Sequence, residues 1–421
     1  MTPYFEEQEM QTKDIVVFGF GARGRIYANF AKTYPEKFNL VAIIENNPDR
    51  LKMAKNEYPT AKLYADYKDF LKDGIKADIV AVATQDKDHK EHAVAMMENG
   101  YDLLLEKPIS NVEEDCLEIY KASKKYGRKV VVCHVLRYTP FYSTVKRYID
   151  SGKLGEVVTI NASENVGYYH QAHSFIRGPW KNSKESSPMI LAKCCHDMDI
   201  IRYLMGEECI AVSSYGGLYH FNRENAPENS TEYCHDCPTQ DCVYKAQKIY
   251  TEQGRGFAQY FTTKELTDEN VLNDLKDTDY DKCVYKSNND VVDHQVTIMN
   301  FAKGKTACHT MTAFSKEIYR DLKVHGTKAE LFGVVEENRI EVRCFGGEVE
   351  KIEIDVSKAN VGGHMGGDFF MMESLFKTLN GEKAEGITYL DVSIDSHLMS
   401  FGAERSRLLG GNSVEIKKDV E

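Results

Sequence analysis

The chain has 421 residues, with 53 Lys and Arg against 65 Asp and Glu, for a formal net charge of −12. An apolar fraction of 42%, a charged fraction of 28%, 29 glycines and only 10 prolines exclude disordered, collagen-like and coiled-coil classes, and the length implies two domains. The acidic balance argues against a nucleic-acid partner, which would need clustered cations. No segment approaches the apolar length of a membrane span, and the opening MTPYFEEQEMQT lacks a signal-peptide core, so a cytoplasmic protein with no membrane partner is expected. Eleven cysteines, an odd number, favour thiols or metal ligands over a disulfide framework.

In chain order, residues 14–18 (DIVVF) read as a buried strand, Gly19-Phe20-Gly21-Ala22-Arg23-Gly24 as a glycine turn, and 25–34 as a helix. A second strand over 40–44 ends in Glu45-Asn46-Asn47-Pro48, where Pro48 suits the start of a helix. The alternation continues with strand 77–83, helix 88–99, strand 101–105, helix 111–126 and strand 129–133, which predicts a parallel sheet covered on both faces. Near Arg137 the rhythm changes. Longer strands with two-residue alternation, such as 291–301, 306–313 and 340–344, predict an antiparallel sheet with one solvated face. The domains are therefore expected at 1–137 and 138–421. Within the second, residues 221–290 form a polar, poorly periodic insertion too long for an ordinary loop.

The pattern GxGxxG gains meaning from its setting after a strand, at the start of a helix, and with an acid following the next strand. Gly19 permits the tight turn, Gly21 lets backbone approach a pyrophosphate, and Gly24 allows close helix packing. The N–H groups of this loop, including Phe20, Ala22 and Arg23, face the anion at the helix end. Glu45 would accept hydrogen bonds from ribose hydroxyls and repel a 2′-phosphate, so NAD is expected over NADP, with Arg50 as a modest counterweight.

Glu106-Lys107-Pro108 follows a parallel strand at the end where such sheets present ligands, and Lys107 there could donate to an alcohol oxygen and take part in proton transfer. The segment 189–199 (MILAKCCHDMD) reads as one helix with Lys193, His196 and Asp199 along a side. His196 is a proton acceptor suited to neutral pH.

With these features in place, the sequence resembles the Gfo/Idh/MocA oxidoreductase family over nearly its whole length. The resemblance is carried by Gly19 to Gly24, Thr84 with His89 following, Glu106-Lys107-Pro108, Arg137-Tyr138, the segment bearing His196 and Asp199, and Gly363-His364-Met365-Gly366-Gly367-Asp368. It implies an α/β fold: an N-terminal Rossmann dinucleotide-binding domain plus a C-terminal α/β domain with a large, mostly antiparallel open sheet. It also implies NAD(P)-dependent oxidation of sugar or cyclitol CH–OH groups, Lys107 and His196 at the reacting oxygen, cofactor contacts from Thr84, Gln85, His89 and Glu106, substrate contacts from Arg137, Asp199 and His364, and a homodimer or homotetramer. Two positions depart from the family pattern. Ala192 replaces the Asp four residues before the helix histidine, with Lys193 beside it, so either Lys193 orients the hydroxyl and His196 takes the proton, or the reverse. The family's Thr-Pro-Asn turn is here Thr84-Gln85-Asp86.

Residues 164–180 contain Glu164, His170, His173, Arg177 and Trp180 among tyrosines and glycines, a polar wall suited to hydroxyl-rich substrates. Cys234, Cys237 and Cys242, with Cys283 beyond them, have the spacing of a tetrahedral zinc site. Such a site would organise the insertion without a large apolar core, with His235 as a competing ligand. The leading expectation is an NAD-dependent dehydrogenase of a small-molecule sugar, glycoside or cyclitol. Its rivals are an NAD-retaining glycosidase working by oxidation, elimination and re-reduction, and a non-catalytic NAD/sugar sensor.

Overall fold

Short runs of branched and leucine side chains, uninterrupted by polar residues, build the first sheet. The structure, a computed structural model, describes residues 10–357 and 364–418. Six strands, β1 (Lys13–Phe18), β2 (Phe38–Ile44), β3 (Lys62–Tyr64), β4 (Ile79–Val82), β5 (Leu103–Leu105) and β6 (Val130–Val132), pair in the order β3-β2-β1-β4-β5-β6. All five pairings are parallel, and every residue of β4, β5 and β6 is buried, as a sheet covered on both faces demands. The covering helices include α1 (Ala22–Thr33), α2 (Pro48–Glu57), α3 (Tyr67–Asp73), α4 (His89–Glu98) and α5 (Glu113–Tyr126). Pro48 opens α2 as expected, with the Asn47 side chain accepting from the N–H groups of Asp49 and Arg50.

Residues 148–353 and 398–417 cluster as a second compact unit, and the remaining described residues form the first. The division thus falls ten residues beyond the expected 137/138 cut, and the chain returns to the first unit at Ile354. The return has a packing cause. The helix Gly367–Leu379 buries Met371, Met372, Leu375 and Phe376 in the same apolar cluster as Ile15, Phe30, Phe38 and Tyr138. No sequence period reveals that a late helix belongs to an early core.

The second unit holds nine strands: β7 (Val157–Asn165), β8 (Cys209–Gly217), β9 (His294–Phe301), β10 (Thr306–Thr312), β11 (Tyr319–Gly326), β12 (Ala329–Val334), β13 (Arg339–Cys344), β14 (Val349–Glu353) and β15 (Val414–Glu415). Their order is β14-β13-β12-β11-β7-β10-β9-β8-β15, antiparallel except where β7 meets β10. Along β9 the alternation is complete: Gln295, Thr297, Met299 and Phe301 are buried while His294, Val296, Ile298 and Asn300 are exposed. The helix Cys195–Met205 packs on β7.

The insertion corrects one expectation. It has an apolar core of its own, in which Phe221, Ile249, Tyr250, Val271, Leu275, Val284 and Tyr285 are buried together with Ala172 and Ile176. Its helices, such as Ala246–Thr251 and Asp268–Leu275, are too short to show a period, which is why the sequence reads as irregular.

Candidate functional site

The glycine loop departs from β1 with Gly19 at φ +95°, and a Cβ there would stand 2.5 Å from the Ala83 carbonyl oxygen. A Cβ on Gly24 would meet the Gly19 oxygen at 1.8 Å, so this glycine lets α1 lie against its own loop. Gly21 differs: the nearest atom to a Cβ would be an Arg50 nitrogen at 3.9 Å. That open side faces a cavity of about 340 Å³ lined by Gly19, Gly21, Glu45, Asn46, Arg50, Tyr67, Thr84, Gln85, Asp88 and His92, among others. The described residues thus leave the space a dinucleotide's phosphate needs at the one glycine where backbone approach is required.

Glu45 is 5% exposed and held at this cavity by two backbone donors, Phe20 N–H to Oε2 at 2.7 Å and Asn47 N–H to Oε1 at 2.8 Å. Each carboxylate oxygen keeps a lone pair for a ribose hydroxyl. Arg50 lies 3.8 Å from Glu45 Oε2. Phe20 itself turns inward and is fully buried against Tyr58, so its contribution to the loop is the backbone. Ala22 begins α1.

Arg23 and Glu106, expected as cofactor contacts, form a clamp. Arg23 Nε donates to Glu106 Oε1 at 2.5 Å and Nη2 to Asp368 Oδ1 at 2.6 Å and to the Tyr27 hydroxyl at 2.9 Å. The Tyr27 hydroxyl donates to Glu106 as well. Burial pushes the Glu106 carboxyl up, but Arg23 and Tyr27 outweigh it and hold the group below its ordinary range. Asp368 is held down likewise, against its own burial, by His364 and Arg23; His364 Nδ1 is 3.0 Å from Asp368 Oδ2. Gly363, read with this motif, lies outside the described residues. The clamp ties the start of α1 to the end of β5, where the Lys107 N–H donates to Glu106 Oε2 at 3.1 Å. His89 is fully buried, its Nδ1 2.9 Å from the Pro108 oxygen, so it braces the turn after Lys107 rather than lining the cavity. His92 lines the cavity, with Nδ1 3.0 Å from the Thr84 hydroxyl. Sequence reasoning missed His92; its signal was its place one turn beyond His89 on α4. Arg137 is buried on the turn Val135–Tyr138.

In the second unit, the expected continuous helix over 189–199 is interrupted. The chain is helical over Met189–Ala192, breaks at Lys193 and Cys194, and restarts over Cys195–Met205. Lys193 lies in the break, with its ammonium against β7, Nζ 3.2 Å from Glu164 Oε1. Glu164, read as a pocket-wall residue, has a fully buried side chain and is also ion-paired with Arg320 of β11, its direct neighbour in the strand register. Arg320 Nε donates to Asp197 Oδ1 at 2.9 Å. Asp199 and His196 are buried on the same helix as Asp197. Arg320 and Asp197 went unnoticed in the sequence because one is an ordinary strand arginine and the other one acid among several. Asp197, Cys194 and His309 are the one group of three metal-ligand types within 4.8 Å of one another among the described residues. The guanidinium on Asp197 already fills the cation's place there.

The expected pocket wall 164–180 divides. Tyr168–His170 is helical and Gln171–Arg177 is a π-helix, a wide turn often found at functional sites. His170 stacks on Phe257 at 5.2 Å, and among the described residues its Nδ1 has no hydrogen-bond partner. His173 and Arg177 face the insertion instead, correcting their assignment to the wall. His173 is sandwiched between Phe257 and Tyr280 with Nδ1 2.9 Å from the Tyr250 hydroxyl, and burial lowers its pKa to about 4. Arg177 donates to the carbonyls of Lys282 and Tyr244 and lies 3.6 Å from the Cys234 sulfur. Trp180 is half-buried near Phe175.

Cys234, Cys237, Cys242 and Cys283 line one small cavity of about 10 Å³ with Thr239, Lys245 and Tyr285. An isolated antiparallel bridge between Tyr233 and Lys282 brings the first and last of them side by side. Zinc–sulfur bonds of roughly 2.3 Å put sulfurs about 3.8 Å apart, and no three of these sulfurs lie within 4.8 Å among the described residues, so closure on an ion would draw them inward. Four thiols are a donor set zinc accepts. Burial raises the Cys237 thiol, yet backbone N–H groups, the Thr239 hydroxyl and Lys245 outweigh it and favour the thiolate, while burial raises the Cys242 and Cys283 thiols, which an ion would have to deprotonate. Nη1 of Arg177 is buried with no hydrogen-bond partner among the described residues, on a guanidinium beside what would be a negatively charged cluster. His235 is turned away, onto Asp281 and Asp236.

A six-stranded parallel sheet in this order, with a glycine loop after β1 and an acid after β2, defines a dinucleotide-binding oxidoreductase fold. The chain belongs to the Gfo/Idh/MocA oxidoreductase family: its NAD-binding Rossmann domain matches residues 13–134 and its C-terminal alpha/beta domain matches 146–394. Among relatives, the YteT protein of Bacillus subtilis (strain 168) is 25% identical over 388 residues, covering 86% of this chain and 88% of YteT. Inositol 2-dehydrogenase 2 of Saccharopolyspora erythraea is 28% identical over 206 residues, 48% of this chain and 57% of its own length. The solved levoglucosan dehydrogenase, in complex with NADH and levoglucosan, shares the fold with a TM-score of 0.70 at 17% identity, over 97% of this chain and all of that one. No helix among the described residues is long and apolar enough to cross a membrane.

Proposed function

We propose that this oxidoreductase is an NAD-dependent dehydrogenase that oxidises a ring hydroxyl of a sugar, glycoside or cyclitol. The observation that carries the cofactor choice is Glu45, pinned by two backbone N–H groups at the cavity beside the open face of Gly21. A fixed carboxylate there favours two ribose hydroxyls and opposes a 2′-phosphate. The substrate class is supported by the relatives' names, inositol and levoglucosan dehydrogenases.

The bound nicotinamide would supply the hydride acceptor. In the first unit, Lys107 is the cation assigned to the reacting oxygen, set on the clamp of Glu106 and Arg23. Arg137 and His364 are the substrate contacts assigned to that same unit; in the second, His196 takes the hydroxyl proton, Lys193 and His170 orient the hydroxyls, and Asp199 and Trp180 complete the assigned substrate contacts. We also propose a structural zinc on Cys234, Cys237, Cys242 and Cys283, a cytoplasmic location, and a homo-oligomer covering the open sheet face, where Tyr215 and Val296 pair and both are exposed with Ile298. Mixing the purified protein and NAD with myo-inositol, scyllo-inositol, levoglucosan and aryl glycosides should produce NADH absorbance with at least one of them. Aglycone release without net NADH would move the chain to the NAD-retaining glycosidases, and tighter binding of NADP than NAD would refute the role of Glu45. Elemental analysis should find one zinc per chain.

A further inference from the structure

The break between the helices Met189–Ala192 and Cys195–Met205 leaves two groups able to accept a substrate proton, Lys193 and His196, and the surrounding charges distinguish them. Glu164 has no solvent exposure in its side chain and must keep cationic partners, because an unpaired buried carboxylate is costly. It has two: Lys193 Nζ at 3.2 Å and the guanidinium of Arg320. Arg320 is shared with Asp197, whose side chain is 4% exposed, at 2.9 Å. Two carboxylates are thus balanced by two cations. Of the other titratable groups facing this cluster, His170 and His309 are driven to the neutral form by burial. Glu336, which accepts the Arg320 N–H at 2.7 Å, has its carboxyl raised by burial. None of these supplies a replacement positive charge. If Lys193 gave up its proton to serve as the resting acceptor, Glu164 and Asp197 would share a single cation.

We propose that Glu164 is a positioning residue that fixes Lys193 as a standing hydrogen-bond donor to the substrate oxygen, leaving His196 as the proton acceptor of this unit. The inference rests on the dehydrogenase reading above. In the step it implies, the carbinol carbon loses hydrogen with its bonding pair to the oxidised nicotinamide, and the O–H proton passes to the His196 imidazole. The carbon–oxygen bond becomes a carbonyl, while Lys193 holds the oxygen without transferring a proton. His170, stacked on Phe257 and with no hydrogen-bond partner at Nδ1 among the described residues, is kept neutral by burial and by the Lys193 charge.

The test compares wild type with Lys193→Arg, Lys193→Met, Glu164→Gln and Glu164→Asp. Arginine can donate but cannot act as a base, so K193R should keep kcat within about tenfold of wild type on whichever of the four probes yields NADH. K193M and E164Q should lose about 100-fold or more, a scale typical of one general acid–base or orienting group. K193R as inactive as K193M would overturn the proposal. A second readout needs no substrate: acetylation of Lys193 by acetic anhydride at pH 7.5, scored by peptide mass spectrometry against exposed Lys76. Removing the carboxylate in E164Q should speed it by about tenfold or more, since the amine loses the buried ion pair that holds it against β7. An unchanged rate would also overturn it. E164D, which holds the charge one methylene farther off, should show a severalfold increase and gives the comparison if E164Q does not fold. Wild type that forms no NADH from any probe would sink the dehydrogenase reading, while the acetylation rates would still judge the ion pair.

Discussion

Each unit holds an arginine between two carboxylates, and the two arrangements are finished differently. Around Arg23, Glu106 and Asp368 the clamp is completed by the Tyr27 hydroxyl, the Lys107 N–H and His364. Around Arg320, Glu164 and Asp197, polar atoms remain unmatched: among the described residues, Asp197 Oδ2, both ring nitrogens of His309 and Nδ1 of His170 have no hydrogen-bond partner. A buried network with its bonds made serves to hold backbone in place, and one with bonds to spare is ready to meet a ligand or move a proton. The first holds the loop and the Lys107 turn that a cofactor needs. The second surrounds Lys193 and the helix that carries His196.

The contrast can be broken or sharpened by experiment. The largest expected effect is on turnover: His196→Asn should lower kcat by about 10²- to 10⁴-fold and leave NAD affinity, read by NADH fluorescence titration, essentially unchanged. Equal loss of both would show that His196 also supports cofactor binding. Next in size is stability. Arg320→Met strands the nearly unexposed Asp197 carboxylate, leaves Glu164 with Lys193 alone, and should cost about 3–5 kcal/mol in urea denaturation, whereas Arg23→Met, whose arginine side chain is 25% exposed, should cost less. Matching losses would remove the distinction drawn between the networks.

Within the first unit, Gly24→Ala forces a carbon against the Gly19 oxygen and should destabilise by about 1–3 kcal/mol. Gly21→Ala meets nothing closer than 3.9 Å and should leave the melting temperature unchanged while weakening NAD at least tenfold. Weakened folding in both variants, with NAD affinity intact, would relocate the phosphate site.

The smallest effect is acid sensitivity. His173 is held near a pKa of about 4 in the fold, below the roughly 6.5 of a free imidazole. The unfolded chain therefore binds the extra proton first, and the stability His173 contributes is present above pH ~6.5 and lost as pH falls toward 4. Asp368, held below its ordinary carboxylate value, contributes stability present above about pH 4 and lost only at lower pH. The fluorescence of Trp180, the single tryptophan, should change in the second unit before hydrogen exchange rises in α1. Simultaneous transitions would argue that the insertion does not respond separately.

Five of the first sheet's six strands, the glycine loop, Glu45 at its strand end and the Pro48 helix start were legible in the sequence because each follows from local causes: strand length, backbone clearance, a fixed proline φ; the three-residue β3 was too short to read. The open antiparallel sheet was legible for the same reason, since alternation on β9 and β10 records which side meets water. Four cysteines at ligand spacing announced a shared location, and they do line one cavity. Other features depended on partners distant in the chain. The 345 residues separating Arg23 from Asp368, and the 156 between Glu164 and Arg320, leave no periodic trace of their pairing. The break at Lys193 is equally silent, because the composition of 189–199 suits an unbroken helix. His173 and Arg177 read as pocket residues until the insertion was seen folded over them. Sequence by itself determined the longer elements of the first unit, the fold class and the glycine loop, whose physics is short-range. Tertiary structure decided which charges neutralise which, and with that which side chains brace the protein and which remain for chemistry.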